Sequence, residues 1–429
     1  MENTFQSFDV ATGLRLNAYK TSRFKTSRIS FTMVLPLEKD ASKNAMLPYI
    51  LARTCKEFPT YMSLSKKLAD LYGATLTPSV GKIGESHVLR LSMNMIDNKF
   101  ALSKDEDIIL SCVELILKVI LEPNAENGAF DKEEVDRARR LLLEKIESQK
   151  SDKRIYALQR LIEEMCKDEA FSSKAIGTKE GLLALTPESV YEAYRHLVEN
   201  AFISVNIIGN TDVDKVREML VEKFSKITRN EPAPTSNEII TRADEVKRVE
   251  ESLPVNQGKL VMGFRYGCED EADVEKRQDE IRMMTDIFGG GTYSRLFMNV
   301  REKMSLCYYC SARPYRQKAL FIVQSGVENE NIETAIEEIQ NQLKSMAEGG
   351  VTEEDMNASR LSMKDTFNSV CDTPEDIDGW ISAQVTDAHF ETPEEVYERT
   401  TKVTREDIIR AAGKVTLDTI FVLKAEGEE

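Results

Sequence analysis

Histidine is scarce in this chain, and its placement limits the chemistry available. The sequence has three histidines among 429 residues, His87, His196 and His389. They fall in different predicted elements, and no two are three or four residues apart, the spacing at which two helix positions can share one metal ion. A serine or threonine nucleophile needs a base beside it. We therefore expect neither a histidine-ligated metal nor a histidine-activated nucleophile.

The sequence also lacks a long apolar run and an excess of basic residues. Lys and Arg number 57 against 73 Asp and Glu, a net charge of −16. This argues against nucleic acid as the main partner, because phosphate contacts need clustered cations. No apolar run is long enough to span a bilayer, and the first nine residues lack the basic and apolar regions of a signal peptide. Since the seven cysteines are odd in number and scattered, we expect no disulfide framework and predict a cytoplasmic protein.

What the chain does contain is an order of predicted elements that repeats once. Residues 28–37 alternate apolar and polar side chains as a half-buried strand does, and helices, further strands and a long charged helix follow. After a polar stretch at 228–257, interpreted as a linker, the same order returns. We predict an α+β fold of two similar domains in tandem, residues 1–227 and 258–429, each a mixed, mainly antiparallel sheet backed by helices.

A glycine triplet followed by an arginine and a tyrosine suggests a binding site. Gly289, Gly290 and Gly291 end a predicted helix, and a short second helix follows. The chain then turns into a predicted strand, so that Arg301 at the end of the helix and Tyr308 early in the strand can lie side by side. Their guanidinium and phenol would offer donors to a peptide carbonyl or a developing oxyanion. The alternative is structural: Arg301 caps its helix and Tyr308 packs on the sheet.

The spacing Gly-Gly-Gly-x-x-Ser-Arg-Leu-(x)4-Arg-Glu-Lys-x-x-Leu-x-Tyr at residues 289–308 resembles the C-terminal half of pitrilysin/insulinase-type metallopeptidases. The branch it most resembles is the mitochondrial-processing-peptidase-like one, built from two subunits of similar fold. The resemblance implies that Arg301 and Tyr308 form a substrate-positioning pair and that the glycine triplet lies near the substrate channel. It also implies a duplicated fold, a clamshell whose halves close around a peptide.

The chain departs from catalytic members of that family at the zinc site. Those members carry His-x-x-Glu-His on the first long helix of the N-terminal half, where two histidines bind zinc and the glutamate is the general base. Residues 44–56 contain no histidine and no acid. The family's remaining ligand is a glutamate on the long charged helix, which here carries Glu133, Glu134 and Glu144. One carboxylate does not make a zinc site, and we predict no metal and no cofactor.

A Cys-x-x-Cys sequence also stands inside this region. Cys307 and Cys310 enclose two tyrosines at the start of the predicted strand. Because residues three apart on a regular strand point to opposite faces, the two thiols are not expected to share a metal or form a bridge. No second Cys-x-x-Cys completes a four-cysteine set. We predict no redox or metal role for the motif.

Missing zinc ligands together with a retained Arg301/Tyr308 pair favour one function over two others. The favoured hypothesis is the non-zinc subunit of a heterodimeric peptidase, without activity of its own, that positions a peptide for a homologous partner carrying the zinc motif. The first alternative is a non-catalytic scaffold or adaptor of the same fold, resembling the bacterial proteins without the zinc motif that are associated with modification of a translation factor, elongation factor P. The second is a self-sufficient enzyme of unrelated mechanism, for which the sequence offers no residues.

Overall fold

The structure, a computed structural model, describes residues 3–426. Its strands are β1 Phe5–Ala11, β2 Leu14–Lys20, β3 Thr26–Pro36, β4 Thr75–Ile83, β5 Ser86–Ile96, β6 Ala125–Glu126, β7 Ala129–Phe130, β8 Phe202–Gly209, β9 Lys247–Leu253, β10 Gly258–Arg265, β11 Cys307–Tyr315, β12 Leu320–Val327 and β13 Thr416–Ala425. Its α-helices are α1 Ser42–Leu51, α2 Tyr61–Asp70, α3 Ile108–Leu121, α4 Lys132–Ser151, α5 Lys153–Met165, α6 Lys179–Ala184, α7 Pro187–Asn200, α8 Val213–Phe224, α9 Glu271–Gly289, α10 Ile332–Ala347, α11 Glu353–Ser369, α12 Pro374–Ala383, α13 Pro393–Thr400 and α14 Arg405–Lys414. A π-helix covers Leu296–Lys303.

These elements form two compact units, of which unit 1 takes its residues from within 1–146, 173–235 and 369–390. Its six-stranded sheet has the order β1-β2-β8-β3-β5-β4. The β2–β8 pair is parallel, and the other neighbouring strands pair antiparallel. The parallel pair arises because the last strand of the unit, β8, inserts between two strands from its beginning.

The main core of unit 1 lies on one face of this sheet. Ile29, Phe31 and Met33 alternate along β3, and the first two pair with the equally buried Met93 and Leu91 of β5. Since side chains alternate between faces along a strand, these residues all lie on one face of the sheet, against which α1, α3 and α7 pack. Burial of each such side chain contributes roughly 1.5–3 kcal/mol to folding.

The other face of the unit 1 sheet holds α12 through a buried carboxylate. Asp378 of α12 has a side chain that is 0% exposed, and its Oδ2 accepts a hydrogen bond from Arg28 Nε at 2.6 Å. Its Oδ1 accepts from the Ser30 hydroxyl at 2.6 Å and from Asn206 Nδ2 at 2.8 Å. Arg90 contributes a second guanidinium at 3.6 Å. The polar residues of β3 and β8 thus fix the helix at one position on the sheet.

Unit 2 takes its residues from within 147–172, 236–368 and 391–429. Its sheet has the order β9-β13-β10-β12-β11, with β9–β13 parallel and the other pairs antiparallel. This order matches β2-β8-β3-β5-β4 of unit 1 strand by strand, and the parallel pair stands at the same place. The predicted α+β class, with two similar, mainly antiparallel sheets backed by helices, is confirmed.

Each unit takes one helix from the other half of the sequence. Helix α5 packs on β10 and β13 of unit 2, as α12 packs on the corresponding β3 and β8 of unit 1. A buried ion network lies beside α5: Arg265 Nη2 meets Glu169 at 2.8 Å and its Nε meets Asp418 at 2.9 Å, while Lys318 Nζ lies 2.7 Å from Glu169. The compact units therefore do not follow the continuous ranges 1–227 and 258–429.

The polar stretch 228–257 is only partly without regular structure. Residues 228–246 carry no helix or strand, whereas β9 pairs in parallel with β13 from Lys247 to Leu253. The β9 side chains are charged and largely exposed, as is common at a sheet edge. The β9 residues therefore show no regular alternation of apolar side chains, and for this reason the sequence indicated a linker here and not a strand.

Candidate functional site

Helix α1 stands where the resemblance places the family's zinc ligands, and its side chains do not suit zinc. Nine of its ten residues are buried, and they include Asn44, Met46 and Leu47. Zinc in proteins is bound by histidine, cysteine thiolate or carboxylate, and this helix offers none of them. Within residues 3–426, no group of three or more His, Cys, Asp and Glu converges as a metal site would.

The carboxylates predicted on α4 also have other partners or face solvent. Glu134 forms an ion pair with Arg53, with Nε and Oε2 2.5 Å apart. The Arg53 guanidinium also stacks on the ring of Tyr61 at 4.4 Å. Glu133 and Glu144 are exposed. An arginine therefore neutralises the one partly buried carboxylate among the three, which disfavours a cation there.

The three histidines are not brought together by the fold. His87 on β5 is buried, and its Nε2 lies 2.9 Å from the carbonyl oxygen of Ala175. Burial lowers the pKa of His87 to about 4, so its ring is neutral near pH 7. His196 and His389 are exposed. His87 is thus a core residue of unit 1.

The glycine triplet is shaped by close packing at the end of α9. A Cβ on Gly289 would lie 2.5 Å from the backbone nitrogen of Ala312 on β11, and a Cβ on Gly290 would lie 2.2 Å from Asp286 Oδ1. Gly289 therefore lets α9 end directly against β11, and Gly290 leaves room for the Asp286 carboxylate of the same helix. The predicted contribution of Gly289, Gly290 and Gly291 to substrate binding stays a prediction.

The partly buried carboxylate of Asp286, in α9, forms hydrogen bonds with residues beyond the triplet. The Tyr293 hydroxyl lies 2.7 Å from each carboxylate oxygen of Asp286, and the Ser359 hydroxyl donates to Oδ2 at 2.5 Å. Burial raises the pKa of Asp286 against the opposing effect of these two donors. Asp286 thus links Tyr293, which follows the triplet, to α11. The sequence contains no pattern for this contact, because Ser359 lies 73 residues away.

Arg301 lies in the π-helix and Tyr308 in β11, on the two sides of the turn that joins them. The wide turns of the π-helix are visible in the bond from Met304 N to the Asn299 carbonyl oxygen, five residues back, at 3.1 Å. Ser305 has a positive φ of 53° and so reverses the chain in the left-handed region. Such π-turns occur often at functional sites.

Arg301 and Tyr308 are both directed to solvent. The Arg301 guanidinium stacks on the Phe297 ring at 4.5 Å and lies 3.5 Å from Glu302, with 41% of its side chain exposed. Tyr308 is 71% exposed and does not pack on the sheet. Within residues 3–426 the two side chains form no hydrogen bond with each other. Most of their donors therefore remain available to a ligand.

The start of β11 contains a β-bulge, which corrects the sequence prediction for Cys307 and Cys310. Cys307 lies opposite Val327 and Cys310 lies opposite Ser325, so that three steps on β11 match two steps on β12. This β-bulge places both cysteines on one face of the sheet. A hydrogen bond from the Cys310 thiol lowers the pKa of Cys307. The prediction that they point to opposite faces is wrong, because regular strand alternation does not hold through the bulge.

Comparison with known proteins finds relatives over the whole chain. A family model described as "Peptidase M16 inactive domain" matches residues 184–363. The chain is 30% identical over 415 residues to the "Probable inactive metalloprotease YmfF" of Bacillus subtilis, covering 96% of each chain. It is 25% identical over 198 residues to the "Uncharacterized zinc protease YmxG" of the same organism, covering 44% of this chain and 45% of that one.

A solved structure supports the same assignment at the level of fold. The crystal structure of a conserved protein from Enterococcus faecalis V583 superposes with a TM-score of 0.88 at 23% identity, covering 99% of each chain. No helix within residues 3–426 is long and apolar enough to cross a membrane. With the near full-length relative and the matching fold, the chain belongs to the M16 family of pitrilysin-type peptidases.

Proposed function

We propose that this chain is a non-catalytic M16 subunit that binds and positions peptide for a zinc-bearing partner of the same fold. The observation that carries the proposal is a contrast between two places in the chain. At α1 the residues that would bind zinc and activate water are replaced by apolar and amide side chains. At the π-helix and β11, Arg301 and Tyr308 keep the family spacing and present their donors to solvent.

The chemistry of the pair suits a peptide carbonyl. A guanidinium offers five N–H donors in a fixed plane, and a phenol adds one O–H. Stacking on Phe297 restrains the Arg301 guanidinium, so less freedom is lost when it binds. In the pair, Arg301 and Tyr308 would hold the carbonyl of the bond to be cut and stabilise the charge that develops on its oxygen. The partner would supply the metal and the attacking water.

The presence of both kinds of relative in one organism supports a pairing. Bacillus subtilis carries a protein named as a probable inactive metalloprotease and another named as a zinc protease, and this chain is similar to both. A genome that encodes this chain would then also encode a zinc-bearing M16 protein. We place the pair in the reducing cytoplasm, because none of the seven cysteines, all within residues 3–426, is in a disulfide.

Reconstitution tests the proposal. The zinc-bearing M16 protein of the same genome is assayed for peptide hydrolysis alone and after mixing with this chain, with complex formation followed by size exclusion. We expect no hydrolysis by this chain alone and a rate for the mixture well above that of the partner alone. A complex that forms without a gain in rate would favour the scaffold function, and the absence of any complex would contradict the proposal.

A further inference from the structure

The cysteines that enclose Tyr308 and Tyr309 have the geometry of a redox pair. Cys310 is 5% exposed, whereas Cys307 is partly accessible. Cys307 and Cys310 stand opposite Val327 and Ser325, two residues apart on β12, so the bulge brings both cysteines onto one face of the sheet. Two steps along a strand span about 6.6 Å, which lies within the range of Cα separations that a disulfide bridges.

The surroundings of the two thiols separate their reactivity. The hydrogen bond from Cys310 lowers the pKa of Cys307 to about 7 against the effect of burial, and the Ser325 hydroxyl and the Arg301 charge act in the same direction. The same hydrogen bond and burial raise the pKa of Cys310. An accessible thiolate beside a buried, protonated thiol is the arrangement of an attacking and a resolving cysteine.

The other cysteines do not share these surroundings. Burial raises the pKa of Cys112 and Cys166 to about 12 and that of Cys268 to about 11, and Cys55 is also buried with a raised pKa. A buried thiol that stays protonated is a poor nucleophile. An oxidant that reaches the folded chain thus meets a more reactive thiol at Cys307 than at these four buried cysteines.

We propose that Cys307 and Cys310 form a reversible intramolecular disulfide, with hydrogen peroxide as oxidant. The Cys307 sulfur attacks one peroxide oxygen, the O–O bond breaks, and Cys307 becomes a sulfenic acid while hydroxide leaves and takes a proton. The Cys310 sulfur then attacks the Cys307 sulfur, the S–O bond breaks, and the Cys310 proton leaves with the hydroxyl as a second water. Two thiols and one peroxide thus give one disulfide and two waters. A dithiol reductant reverses the step by exchange.

The disulfide would act on the segment that presents Tyr308. It closes a small ring around Tyr308 and Tyr309, and so locks the bulge that is otherwise held by packing. In the reduced chain the Tyr309 ring lies against Gly326 and under the guanidinium of Arg154 at 4.5 Å. Oxidation also removes the thiolate facing Arg301. The proposal concerns the thiols themselves and stands independently of the proposed function.

Peptide mapping of the full chain tests the proposal. The protein is reduced, desalted, treated near pH 7 with one equivalent of hydrogen peroxide, alkylated and digested with trypsin. Cleavage after Lys303 and Arg316 gives a peptide, residues 304–316, whose only cysteines are Cys307 and Cys310. We expect this peptide to be lighter by two hydrogen atoms and free of alkylation, and dithiothreitol treatment to restore its double alkylation.

Matched variants identify the order of the two steps. With Cys310→Ser, Cys307 should stop at the sulfenic acid and be trapped by dimedone, whereas Cys307→Ser should leave the peptide unoxidised. Cys371→Ser, a change at a partly accessible cysteine of unit 1, should leave the 304–316 disulfide unchanged. A wild-type peptide that remains doubly alkylated while Cys371 is oxidised would overturn the proposal, as would a disulfide from Cys307 to any cysteine other than Cys310.

Discussion

At the scale of single residues, the reactivity of Cys307 should depend on the groups around it. Its pKa of about 7 is set by the hydrogen bond from Cys310, followed by burial, Ser325 and Arg301. The thiolate is present above this pKa and is lost below it. Alkylation of Cys307 by iodoacetamide, followed by mass spectrometry from pH 5 to 9, should therefore be half-maximal near pH 7.

Two variants should move this alkylation profile and one should not. Cys310→Ala removes the main donor and Arg301→Ala removes a positive charge, so each should shift the midpoint to higher pH. Arg313→Ala, a change at an exposed arginine of the same strand, should leave it in place. A wild-type midpoint above pH 8, unchanged in all three variants, would contradict the assigned hydrogen bond.

The close contact of Gly289 with β11 gives a second prediction at this scale. Gly289→Ala would place a Cβ 2.5 Å from the Ala312 nitrogen, and such overpacking costs about 1–3 kcal/mol. Gly413→Ala is a matched control, because that glycine lies in α14 with open space around its Cβ position, where alanine is the better helix former. We expect a lower urea midpoint for Gly289→Ala alone. Equal midpoints for both variants would show that α9 and β11 can separate without cost.

At the scale of elements, periodicity predicted most helices and strands, and the places where it failed have a physical cause. Alternating side chains at residues 28–37 predicted the strand that the structure shows as β3. The strand β9 was missed because a charged, exposed edge strand has no apolar period. The bulge at Cys307 was missed because the extra residue is defined by its pairing with the following strand, β12, and leaves no pattern in the residues of β11 alone.

We predict that Asp378 is the main residue that holds α12 on the unit 1 sheet. Asp378→Ala would leave Arg28 and Arg90 without their buried carboxylate, a change that costs about 3–5 kcal/mol in such sites. Glu375→Ala, on the same helix but 51% exposed and 3.8 Å from Arg28, should cost less than about 1 kcal/mol. Trp380, the only tryptophan of the chain, lies on α12, so its fluorescence during urea unfolding reports the helix directly. Similar midpoints for the two variants would show that α12 does not depend on Asp378.

The same carboxylate should make α12 sensitive to acid. Burial raises the pKa of Asp378, but Arg90, Arg28 and the hydrogen bonds from Asn206 and Ser30 outweigh it and hold the pKa below its usual range. Because the pKa of Asp378 is lower in the folded chain than in the unfolded chain, where an aspartate has a pKa of about 3.9, the ionised carboxylate stabilises the fold above that pH. This stabilisation is lost as the pH falls through the pKa of the folded state. Asp378→Asn should lack this component of acid unfolding below about pH 4, seen as a flatter pH dependence of the Trp380 signal.

At the scale of the whole molecule, the sequence order predicted the duplication but not the membership of the two units. The common strand order, with its one parallel pair in each sheet, follows from the repeated order of elements. The assignment of α5 to unit 2 and of α12 to unit 1 depends on buried partners hundreds of residues away, such as Arg28 for Asp378. Local periodicity shows that each helix has a buried face, but it does not show which sheet that face packs against.

The candidate site was derived from the sequence in part, and the role of Arg301 and Tyr308 in binding stays a prediction. The absence of zinc ligands is a direct property of residues 44–56, and the family spacing located Arg301 and Tyr308. The spacing did not reveal that Arg301 stacks on Phe297 or that Tyr308 stands on a bulge, because the π-helix and the bulge shift the regular helix and strand positions. The central claim is that the donors of Arg301 and Tyr308 act on a peptide held with a zinc-bearing partner.

The kcat of the assembled pair with Arg301→Ala tests that claim most directly. Peptide hydrolysis is measured with wild type, Arg301→Ala and Tyr308→Phe, and with Arg313→Ala and Tyr309→Phe as controls, each pair confirmed intact by size exclusion. A donor that acts on the developing oxyanion contributes on the order of 10²–10³ in kcat, so Arg301→Ala should lower kcat by about that factor, with a smaller loss for Tyr308→Phe and none for the controls. Wild-type kcat in both Arg301→Ala and Tyr308→Phe pairs would contradict the account and leave the two residues as surface groups of a scaffold.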